Sequence, residues 1–528
     1  MIRAVSRTPA RHGRWTGPGL AVLLCLLTLL SGCTLPALEG RDASVAIAAE
    51  STRDTALGRA VSRLLADRPD DRSGIHPLAD ASDAFAARML LARAAEATLD
   101  VQYYIWRQDV TGTLLLKAVL DAADRGVRVR LLLDDHGTAA IDRELAALHT
   151  HPRVEIRLFN PFIVRTPKYF GFLTDFRRLN RRMHNKSFTA DNQVTIVGGR
   201  NIGDEYFGAK TGVLFADLDV LAIGPVVDEV SRDFDRYWAS ASAYPADSIL
   251  SRPAPDALDQ LQAAGAVAAS TEEAEHYLSR VRASDFMRAL REGTLPFEWA
   301  VTRMVSDDPA KGLARAPRRG LLMPQLRAVL DQPRHSVELV SPYFVPTAAG
   351  VQAFADLVRQ GVRVRVLTNA LEATDVAVVH AGYVKHRKSL LKAGVELFEL
   401  RNPQRQGQLD LRVGPFGSSG SSLHAKTFAV DNERIFVGSF NFDPRSIDFN
   451  TELGFIIESP RLAAQVAEAF DTSIPENAYE VRLDENGRVI WIERTPDGPR
   501  VHRTEPGTGP LQRFGIRFLS ILPIEWML

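Results

Sequence analysis

Two stretches of the chain repeat the same order of residues and decide the fold. The first is His184-Asn-Lys-Ser-Phe-Thr-Ala-Asp191, followed by Gly198-Gly-Arg-Asn201. The second is His424-Ala-Lys-Thr-Phe-Ala-Val-Asp431, followed by Gly438-Ser-Phe-Asn441, and it stands 424 − 184 = 240 positions later. A His-x-Lys sequence among alternating apolar residues places both polar side chains on one face of a strand. We therefore predict that each half of the chain brings one His-Lys pair to a common site.

The segments before each motif also repeat, as alternating strands and helices. Gly126-Val-Arg-Val-Arg recurs from Gly361, at an offset of 361 − 126 = 235, and Tyr103 is matched with Tyr343 at an offset of 240. Strands alternating with helices of this length indicate α/β units, and one long offset indicates a duplicated domain. The predicted elements are helices 84–97, 114–123, 323–330 and 350–360 and strands 99–106, 126–133, 337–345 and 361–367.

The composition excludes several classes of protein. The 528 residues are 45% hydrophobic and 24% charged, which is typical of a globular protein and not of a disordered or polytopic membrane protein. Four arginines precede residue 33, so residues 33–528 carry 60 − 64 = −4 charges and lack the basic excess of a general nucleic-acid binder. The two cysteines, Cys25 and Cys33, exclude a disulfide framework or a cysteine-based zinc site from the body.

The amino-terminal segment has the features of a targeting signal. Four arginines precede an apolar run at 20–30, which is too short to span about 30 Å of hydrocarbon but suits a signal peptide. The run ends in Leu30-Ser-Gly-Cys33, which resembles a bacterial lipobox. That resemblance implies removal of residues 1–32, acylation of Cys33 and, since Thr34 follows, the outer membrane more than the inner one. The alternative is an ordinary signal peptide or a short anchor.

The doubled His-x-Lys-x₄-Asp motif resembles the phospholipase D superfamily. Residues 100–106, 181–186, 198–207 and 522–526 narrow this resemblance to bacterial cardiolipin synthases, and among them to the C type. The fold expected is α/β: two tandem phospholipase D-like domains that form a pseudo-twofold pair, each a mixed, mostly parallel sheet flanked by helices. The lipobox departs from the cardiolipin synthase pattern. The expected segments are a signal (1–32), a tether with a short helix (33–79), the first domain (80–245), a helical connector (246–319), the second domain (320–475) and a C-terminal hairpin with an apolar tail (476–528).

The residue types suit displacement at a phosphodiester. A neutral imidazole can attack phosphorus while a protonated one supplies a proton to the leaving oxygen, because histidine titrates near pH 6.5. Lys186 and Lys426 are expected to stabilise the phosphoryl oxygens, and Asn201, Asn441 and Ser439 are expected to bind or support the phosphate. The resemblance implies a metal-independent ping-pong reaction through a phosphohistidine on His184, with His424 as the acid, and no cofactor.

Each imidazole also needs an acceptor for its far nitrogen. Glu452 stands 452 − 424 = 28 residues after the second histidine and resembles the orienting glutamate of the family. In the first half we choose Asp217, for which the alternative is an ordinary surface strand residue. Asp191 and Asp431 complete the catalytic motifs and are interpreted as supports that fix the turns.

The expected function is phosphatidyl transfer that makes cardiolipin. The partners expected are phosphatidylglycerol, with phosphatidylethanolamine as a further donor, and a membrane; no nucleic acid is expected. The alternatives are a hydrolase that releases phosphatidic acid, another phosphodiesterase or nuclease, and a lipid-binding module with an inactive site. Residues 165–183 mix basic and aromatic side chains, which suits either a lipid surface or a packed helix. The apolar tail at 511–528 suits either role too, with packing favoured.

Overall fold

The computed structural model describes residues 35–209, 214–330, 332–402, 422–523 and 525. The predicted signal segment, Cys33 and the last three residues of the tail lie outside this part of the chain.

The first half of the described chain forms one α/β unit. Its strands are β1 (Arg72–Leu78), β2 (Thr98–Ile105), β3 (Arg128–Gly137), β4 (Val154–Phe159), β5 (Ser187–Ala190), β6 (Val194–Gly198), β7 (Phe215–Ala216), β8 (Asp219–Ile223) and β9 (Ala243–Pro245). Its helices are α1 (Ala56–Leu65), α2 (Ala81–Ala94), α3 (Val110–Asp124), α4 (Asp142–Leu148), α5 (Gly171–Leu179), α6 (Asp204–Phe207) and α7 (Val226–Trp238).

The second half repeats this unit after a helical connector and then adds a hairpin and a helix. Its strands are β10 (Glu298–Ser306), β11 (Ser336–Val340), β12 (Arg363–Asn369), β13 (Glu396–Leu400), β14 (Ser422–Leu423), β15 (Thr427–Val430), β16 (Arg434–Gly438), β17 (Leu453–Ile457), β18 (Ala478–Leu483), β19 (Val489–Thr495) and β20 (Gly498–His502). Its helices, with the connector, are α8 (Ala257–Ala269), α9 (Glu272–Ala283), α10 (Asp285–Glu292), α11 (Leu322–Leu330), α12 (Thr347–Arg359), α13 (Ala377–Lys392), α14 (Pro444–Asp448), α15 (Pro460–Asp471), α16 (Ser473–Asn477) and α17 (Pro510–Ile521).

Within the described residues, one 18-stranded sheet runs through both halves. Its order is β9-β4-β3-β2-β5-β6-β8-β1-β10-β17-β16-β15-β11-β12-β13-β18-β19-β20. Counted outward from the antiparallel β1–β10 pair, and including these two strands, the first eight strands of each side follow the same order, which is the pseudo-twofold relation expected. The mixed α/β fold is confirmed; β2–β3–β4 and β11–β12–β13 are its parallel parts, and the other neighbours in this sheet are antiparallel.

The register corrects one detail of the repeat. Val101 of β2 lies opposite Phe188, and Leu339 of β11 lies opposite Phe428. The offset between these strands is therefore 339 − 101 = 238, although the motifs themselves are 240 residues apart. Tyr103 and Tyr343 are not equivalent positions, because a length difference in the connecting segments shifts the offset between strand and motif.

Two segments differ from their sequence-based interpretation. The predicted tether contains β1, which pairs with β8 and β10 in the middle of the sheet. Its sequence, Arg-Ser-Gly-Ile-His-Pro-Leu, has a single β-branched residue, so its strand signal is weak. The predicted helical connector contains β10 as well as α8–α10, because an Ala-rich helical run precedes a short alternating stretch. The hairpin predicted at Asn486-Gly487 is present between β18 and β19.

Candidate active site

Both motif histidines lie at the seam between the halves. The backbone N–H of His184 donates to the Thr451 carbonyl at 2.9 Å, and the backbone N–H of His424 donates to the Ala216 carbonyl at 2.7 Å. Met183 forms a parallel bridge with Thr451, and β14 pairs in parallel with β7. The chain just before each motif strand is therefore bonded to the opposite half, which brings the two His-Lys pairs together.

Each imidazole is held by a carboxylate of the other half. His424 Nδ1 lies 2.5 Å from Asp217 Oδ2, and His184 Nδ1 lies 2.8 Å from Glu452 Oε2. All four side chains are buried. The two carboxylates occupy equivalent positions, each two residues before the strand residue that faces Gly198 or Gly438. With Nδ1 bonded to a carboxylate, Nε2 of each neutral ring is left as the nucleophilic or basic atom.

The surroundings of the two carboxylates differ. Glu452 accepts hydrogen bonds from the hydroxyls of Ser439, at 2.5 Å, and Ser446, at 2.8 Å. Ser439 was expected to bind or support the phosphate, and its hydroxyl here supports the orienting glutamate. In the first half the residue equivalent to Ser439 is Gly199, where an added Cβ would lie 2.1 Å from Asp217 Oδ1. The second half thus combines the longer side chain of Glu452 with a serine, and the first half combines the shorter side chain of Asp217 with a glycine.

The electrostatics of this site favour neutral imidazoles and ionised carboxylates. Burial lowers the pKa of His184 to about 4, although the charge of Glu452 opposes that shift. Burial and the charge of Lys426 lower the pKa of His424. Burial raises the pKa of Asp217, but the opposing effects of His424 and Lys426 are larger and leave it well below its usual range. Burial raises the pKa of Glu452, but His184, Lys186 and the Ser439 hydroxyl together lower it below its ordinary value.

The two motif lysines are buried beside the histidines. Lys186 Nζ donates to the His184 carbonyl at 2.5 Å and lies 5.7 Å from the centre of the Tyr104 ring. Lys426 Nζ donates to the His424 carbonyl. Burial lowers the pKa of Lys186 to about 7 and lowers that of Lys426. An anion bound between them would favour the ammonium forms of both, so this pair is suited to hold a phosphodiester.

The two predicted asparagines have different environments. The Asn201 amide accepts from the Ile105 N–H at 3.1 Å and donates to the Tyr206 hydroxyl at 3.1 Å, so it is bonded within the protein. The backbone N–H of Asn441 donates to the Ser446 hydroxyl at 3.3 Å. Among the described residues the side-chain oxygen of Asn441 has no hydrogen-bond partner. Asn441 is therefore the asparagine with side-chain capacity left for a ligand.

Asp191 and Asp431 lie at the turns that follow the motif strands. The Asp191 carboxylate accepts from the backbone N–H groups of Glu96, Ala97 and Thr98 at 2.8–3.2 Å. The Asp431 carboxylate accepts from three backbone N–H groups in the same way, at 334–336. Both residues have positive φ values, of 52° and 55°, which aspartate tolerates in such turns. These bonds tie each turn to the segment before β2 or β11, and among the described residues the carboxylates bonded to the His184 and His424 rings are Glu452 and Asp217 instead.

Three aromatic residues pack on the imidazoles and were not singled out from the sequence. Tyr104 meets His184 edge to face, with ring centres 5.1 Å apart, and Tyr206 meets His424 in the same way at 5.2 Å. Phe215 lies 5.0 Å from His424. Tyr104 stands beside the tyrosine that we matched across the repeat, so only the register of β2 could have identified it.

Two kinds of feature are absent from the described part of the chain. No group of three or more His, Cys, Asp or Glu side chains there has the geometry of a metal site. Within the same residues, no helix combines the length and apolar character needed to cross a bilayer.

Comparisons with known proteins agree with the duplicated architecture. The family described as "Cardiolipin synthase, PLD-like domain" matches residues 90–238 and again 326–474. Cardiolipin synthase C of Escherichia coli (strain K12) is 50% identical over 475 residues, which cover 89% of this chain and 99% of that protein. An uncharacterised protein of Helicobacter pylori (strain ATCC 700392 / 26695) is 31% identical over 474 residues, which cover 89% of this chain and 92% of that protein.

One solved structure is similar in fold over most of the chain. The crystal structure of phosphatidylserine synthase from Haemophilus influenzae Rd KW20 superposes with a TM-score of 0.55 and 14% sequence identity. The match covers 89% of this chain and 100% of that structure, so the two-domain arrangement is shared. The doubled family match and the nearly full-length relatives lead to one conclusion: this chain belongs to the cardiolipin synthase family of proteins with phospholipase D-like domains.

Proposed function

We propose that the protein is a phosphatidyltransferase that joins a phosphatidyl group to phosphatidylglycerol and so makes cardiolipin. The observation that carries the proposal is the pair of seam-crossing contacts, His184 to Glu452 and His424 to Asp217, each beside a buried lysine. The similarity to cardiolipin synthase C over almost its whole length supports transfer to a lipid alcohol.

The reaction proceeds in two displacements. His184 Nε2 attacks the phosphorus of the donor, the P–O bond to the headgroup breaks, and His424 gives its proton to the leaving oxygen. Glycerol leaves from phosphatidylglycerol, and ethanolamine would leave from phosphatidylethanolamine. His424 then takes the proton of the acceptor hydroxyl, whose oxygen attacks phosphorus as the P–N bond breaks. The charge of the bound phosphodiester favours protonation of His424, which burial alone disfavours.

The remaining side chains stabilise charge and geometry. Lys186 and Lys426 as ammonium groups balance the negative charge that grows on the non-bridging oxygens. Glu452 and Asp217 hold the tautomer of each ring and stabilise the imidazolium or the phosphohistidine. The Asn441 side chain can donate to a phosphoryl oxygen through its NH₂ group, since its carbonyl oxygen only accepts. Trapping labelled phosphate on His184, and on no other residue, after acid-free denaturation tests the nucleophile; label on His424 would exchange the roles.

The acceptor decides between synthase and hydrolase. Both reactions share the first displacement, and water at roughly 55 M competes with any alcohol unless the alcohol is bound and aligned. Purified enzyme with phosphatidylglycerol vesicles should give more cardiolipin than phosphatidic acid. His184→Ala should abolish both products, and His276→Ala, at an exposed histidine of α9, should leave both unchanged. Phosphatidic acid as the main product would make the protein a hydrolase.

The proposed location is a bacterial membrane, with Cys33 lipidated and the catalytic body facing the periplasm, on the outer membrane more than the inner one. The support is the apolar run that ends in Leu30-Ser-Gly-Cys33. Acyl chains contribute roughly 0.8 kcal/mol per buried CH₂, so several chains hold a protein firmly. The intact mass of the purified protein should equal residues 33–528 plus acyl groups, and a chain that keeps residues 1–32 without acyl mass would contradict this.

A further inference from the structure

Two groups of large apolar side chains are exposed on the protein. The first, which we call the aromatic patch, lies on and before α5 and comprises Tyr169, Phe170, Leu173 and Phe176. The second, the C-terminal stripe, lies on α17 and comprises Leu511, Phe514, Phe518 and Ile521. Leu173 is 81% exposed and Leu511 is 83% exposed. Contiguous exposed apolar groups mark contact surfaces more often than isolated ones do.

The C-terminal stripe is one face of a helix whose other face is packed. Its members are spaced by three or four residues, so they line one side of α17. On the opposite side Ile516 is buried against Leu371 and Ala381. The packing expected for the tail is therefore present on one face, while the stripe points away from the protein core.

The strands β3 and β12 each bond the segment that precedes one of the two catalytic histidines. Asp134 accepts a hydrogen bond from the N–H of Met183, just before His184, at 2.8 Å. Asn369 accepts one from the N–H of Leu423, just before His424, also at 2.8 Å. Asp134 of β3 and Asn369 of β12 are equivalent in the repeat, because they stand 235 positions apart, which is the offset that relates the two strands.

The surfaces extend from the positions that follow these two residues. His136 packs against Phe172 of α5, with ring centres 6.3 Å apart, and the equivalent Leu371 packs against Ile516 of α17. Points related by a twofold axis lie at the same height along that axis. His136 and Leu371 are equivalent in the repeat, so α5 and α17 pack at equivalent points of the two halves, each two residues beyond the residue that bonds the segment before a catalytic histidine.

Basic side chains accompany both apolar surfaces. Arg177 is exposed beside the aromatic patch, and Arg517 is exposed beside the C-terminal stripe. Lys168 and Arg178 also lie in the first surface, where they pair with Asp135 and Asp175. Apolar side chains flanked by arginine are typical of surfaces that enter the headgroup region of anionic lipid.

The amino-terminal chain approaches the same side. Arg41 donates to the carbonyls of Ser240, at 2.7 Å, and Ala243, at 3.0 Å. Ala243 pairs with Phe159 of β4, and the next residue, Asn160, donates to the Arg178 carbonyl of α5 at 3.4 Å, so this docking point lies near α5. Cys33 stands eight positions before Arg41 and can reach at most about 28 Å from it. A lipid on Cys33 would hold the patch close to the bilayer.

We propose that the aromatic patch and the C-terminal stripe together seat the active-site entrance on an anionic phospholipid bilayer, so that a lipid enters the site directly from the membrane. The proposal rests on the proposed function for the reason that a lipid must reach the histidines. It adds the orientation of the protein and the side chains that set it.

Site-directed spin labelling of the full chain tests the contact without using activity. No cysteine follows Cys33, so Leu173→Cys, Phe518→Cys and the control Val267→Cys, on exposed α8, each add one new site, and the unsubstituted chain gives the background. The vesicles contain phosphatidylethanolamine and about 30–40% phosphatidylglycerol, because an anionic surface attracts basic side chains. Labels at 173 and 518 should become accessible to oxygen and protected from an aqueous nickel chelate on vesicle binding, and the label at 267 should not.

A second arm measures turnover. Leu173→Glu and Phe518→Glu should each lower the ratio of vesicle turnover to turnover of a monomeric short-chain phosphatidylglycerol by about tenfold, and together by more, while Val267→Glu should leave that ratio unchanged. Labels at 173 and 518 that stay aqueous on bound vesicles would overturn the proposal. Self-association that both substitutions abolish, with vesicle turnover intact, would assign these surfaces to a second copy of the chain instead. Absence of cardiolipin with membrane-inserted labels would contradict only the proposed function.

Discussion

Asp217, in the first half of the chain, lies 2.5 Å from the ring of His424 in the second half. In the same way Glu452, in the second half, lies 2.8 Å from the ring of His184 in the first half. Each half thus supplies the histidine of one unit and the orienting carboxylate of the other. Because the backbone bonds at Thr451 and Ala216 also cross the seam, each proposed catalytic unit needs residues of both halves. The duplicated domain is one enzyme and not two independent ones.

The two carboxylates should be separable by kinetics. Asp217→Asn should leave phosphohistidine formation from a p-nitrophenyl phosphodiester near the wild-type rate, because that leaving group needs no proton. Turnover of phosphatidylglycerol should fall by about 10² to 10⁴-fold, since His424 would lose its correct tautomer. Glu452→Gln should slow the formation of the adduct itself. Rapid-quench measurements of both variants check this, and the reverse pattern would exchange the roles of the histidines.

Adduct formation should resist acid unusually well. Burial lowers the pKa of His184 to about 4, so the ring stays neutral at pH 5, where an ordinary histidine would lose about thirtyfold of its neutral form. The burst rate should therefore change less than twofold between pH 7 and 5. The unfolded chain binds a proton at this position below about pH 6.5, whereas the folded chain binds one only below about pH 4. The free energy of unfolding should therefore fall as the pH is lowered from about 6.5 to about 4. A burst rate that falls on acidification with an apparent pKa near 6.5 would contradict this expectation.

Gly199 should not accept a side chain. An added Cβ would lie 2.1 Å from Asp217 Oδ1, and a backbone-held carboxylate bonded to His424 cannot move away without losing that bond. We expect Gly199→Ala to lower turnover at least about tenfold with a normal far-ultraviolet circular dichroism spectrum. Ser439→Ala, at the equivalent position, removes one of several bonds to Glu452 and should cost only a few-fold. Equal activity of the two variants would refute this difference.

Asp191 should matter for stability more than for chemistry. Asp191→Ala leaves three backbone N–H groups without their acceptor and should lower the free energy of unfolding by about 1–3 kcal/mol. Asp431→Ala should cost less, because Asp431 and its donors are more exposed. Urea titration gives both values, and turnover of the folded variants should stay within a few-fold of wild type. A loss of activity as large as that of His184→Ala would place Asp191 in the chemistry.

The sequence was informative about the motifs and poor at showing their cross-connection. Because the motif is local, His184, Lys186 and their counterparts could be identified from spacing alone, and the strands before them from their apolar content. The partners Asp217 and Glu452 could be chosen only as candidates. They lie 207 and 268 residues from the histidines that they contact, and no spacing within a half reports on a contact between halves.

The remaining differences also have physical causes. β1 was missed because its place in the sheet comes from pairing with β8 and β10, and its own residues have little strand propensity. The contact of Tyr104 with His184 depends on the register of β2, and the offset between strand and motif changes from 238 to 240 along the repeat. A single offset read from the sequence could not give that register.

The most direct measurement of the central claim is mass spectrometry of lipids from a cardiolipin-free bacterial host that expresses this chain. Wild type should restore cardiolipin, and His184→Ala and Asp217→Asn should fail to do so at equal protein levels. His276→Ala should behave as wild type, since that side chain is exposed and outside the site. Phosphatidic acid without cardiolipin, in cells with abundant phosphatidylglycerol, would contradict the account.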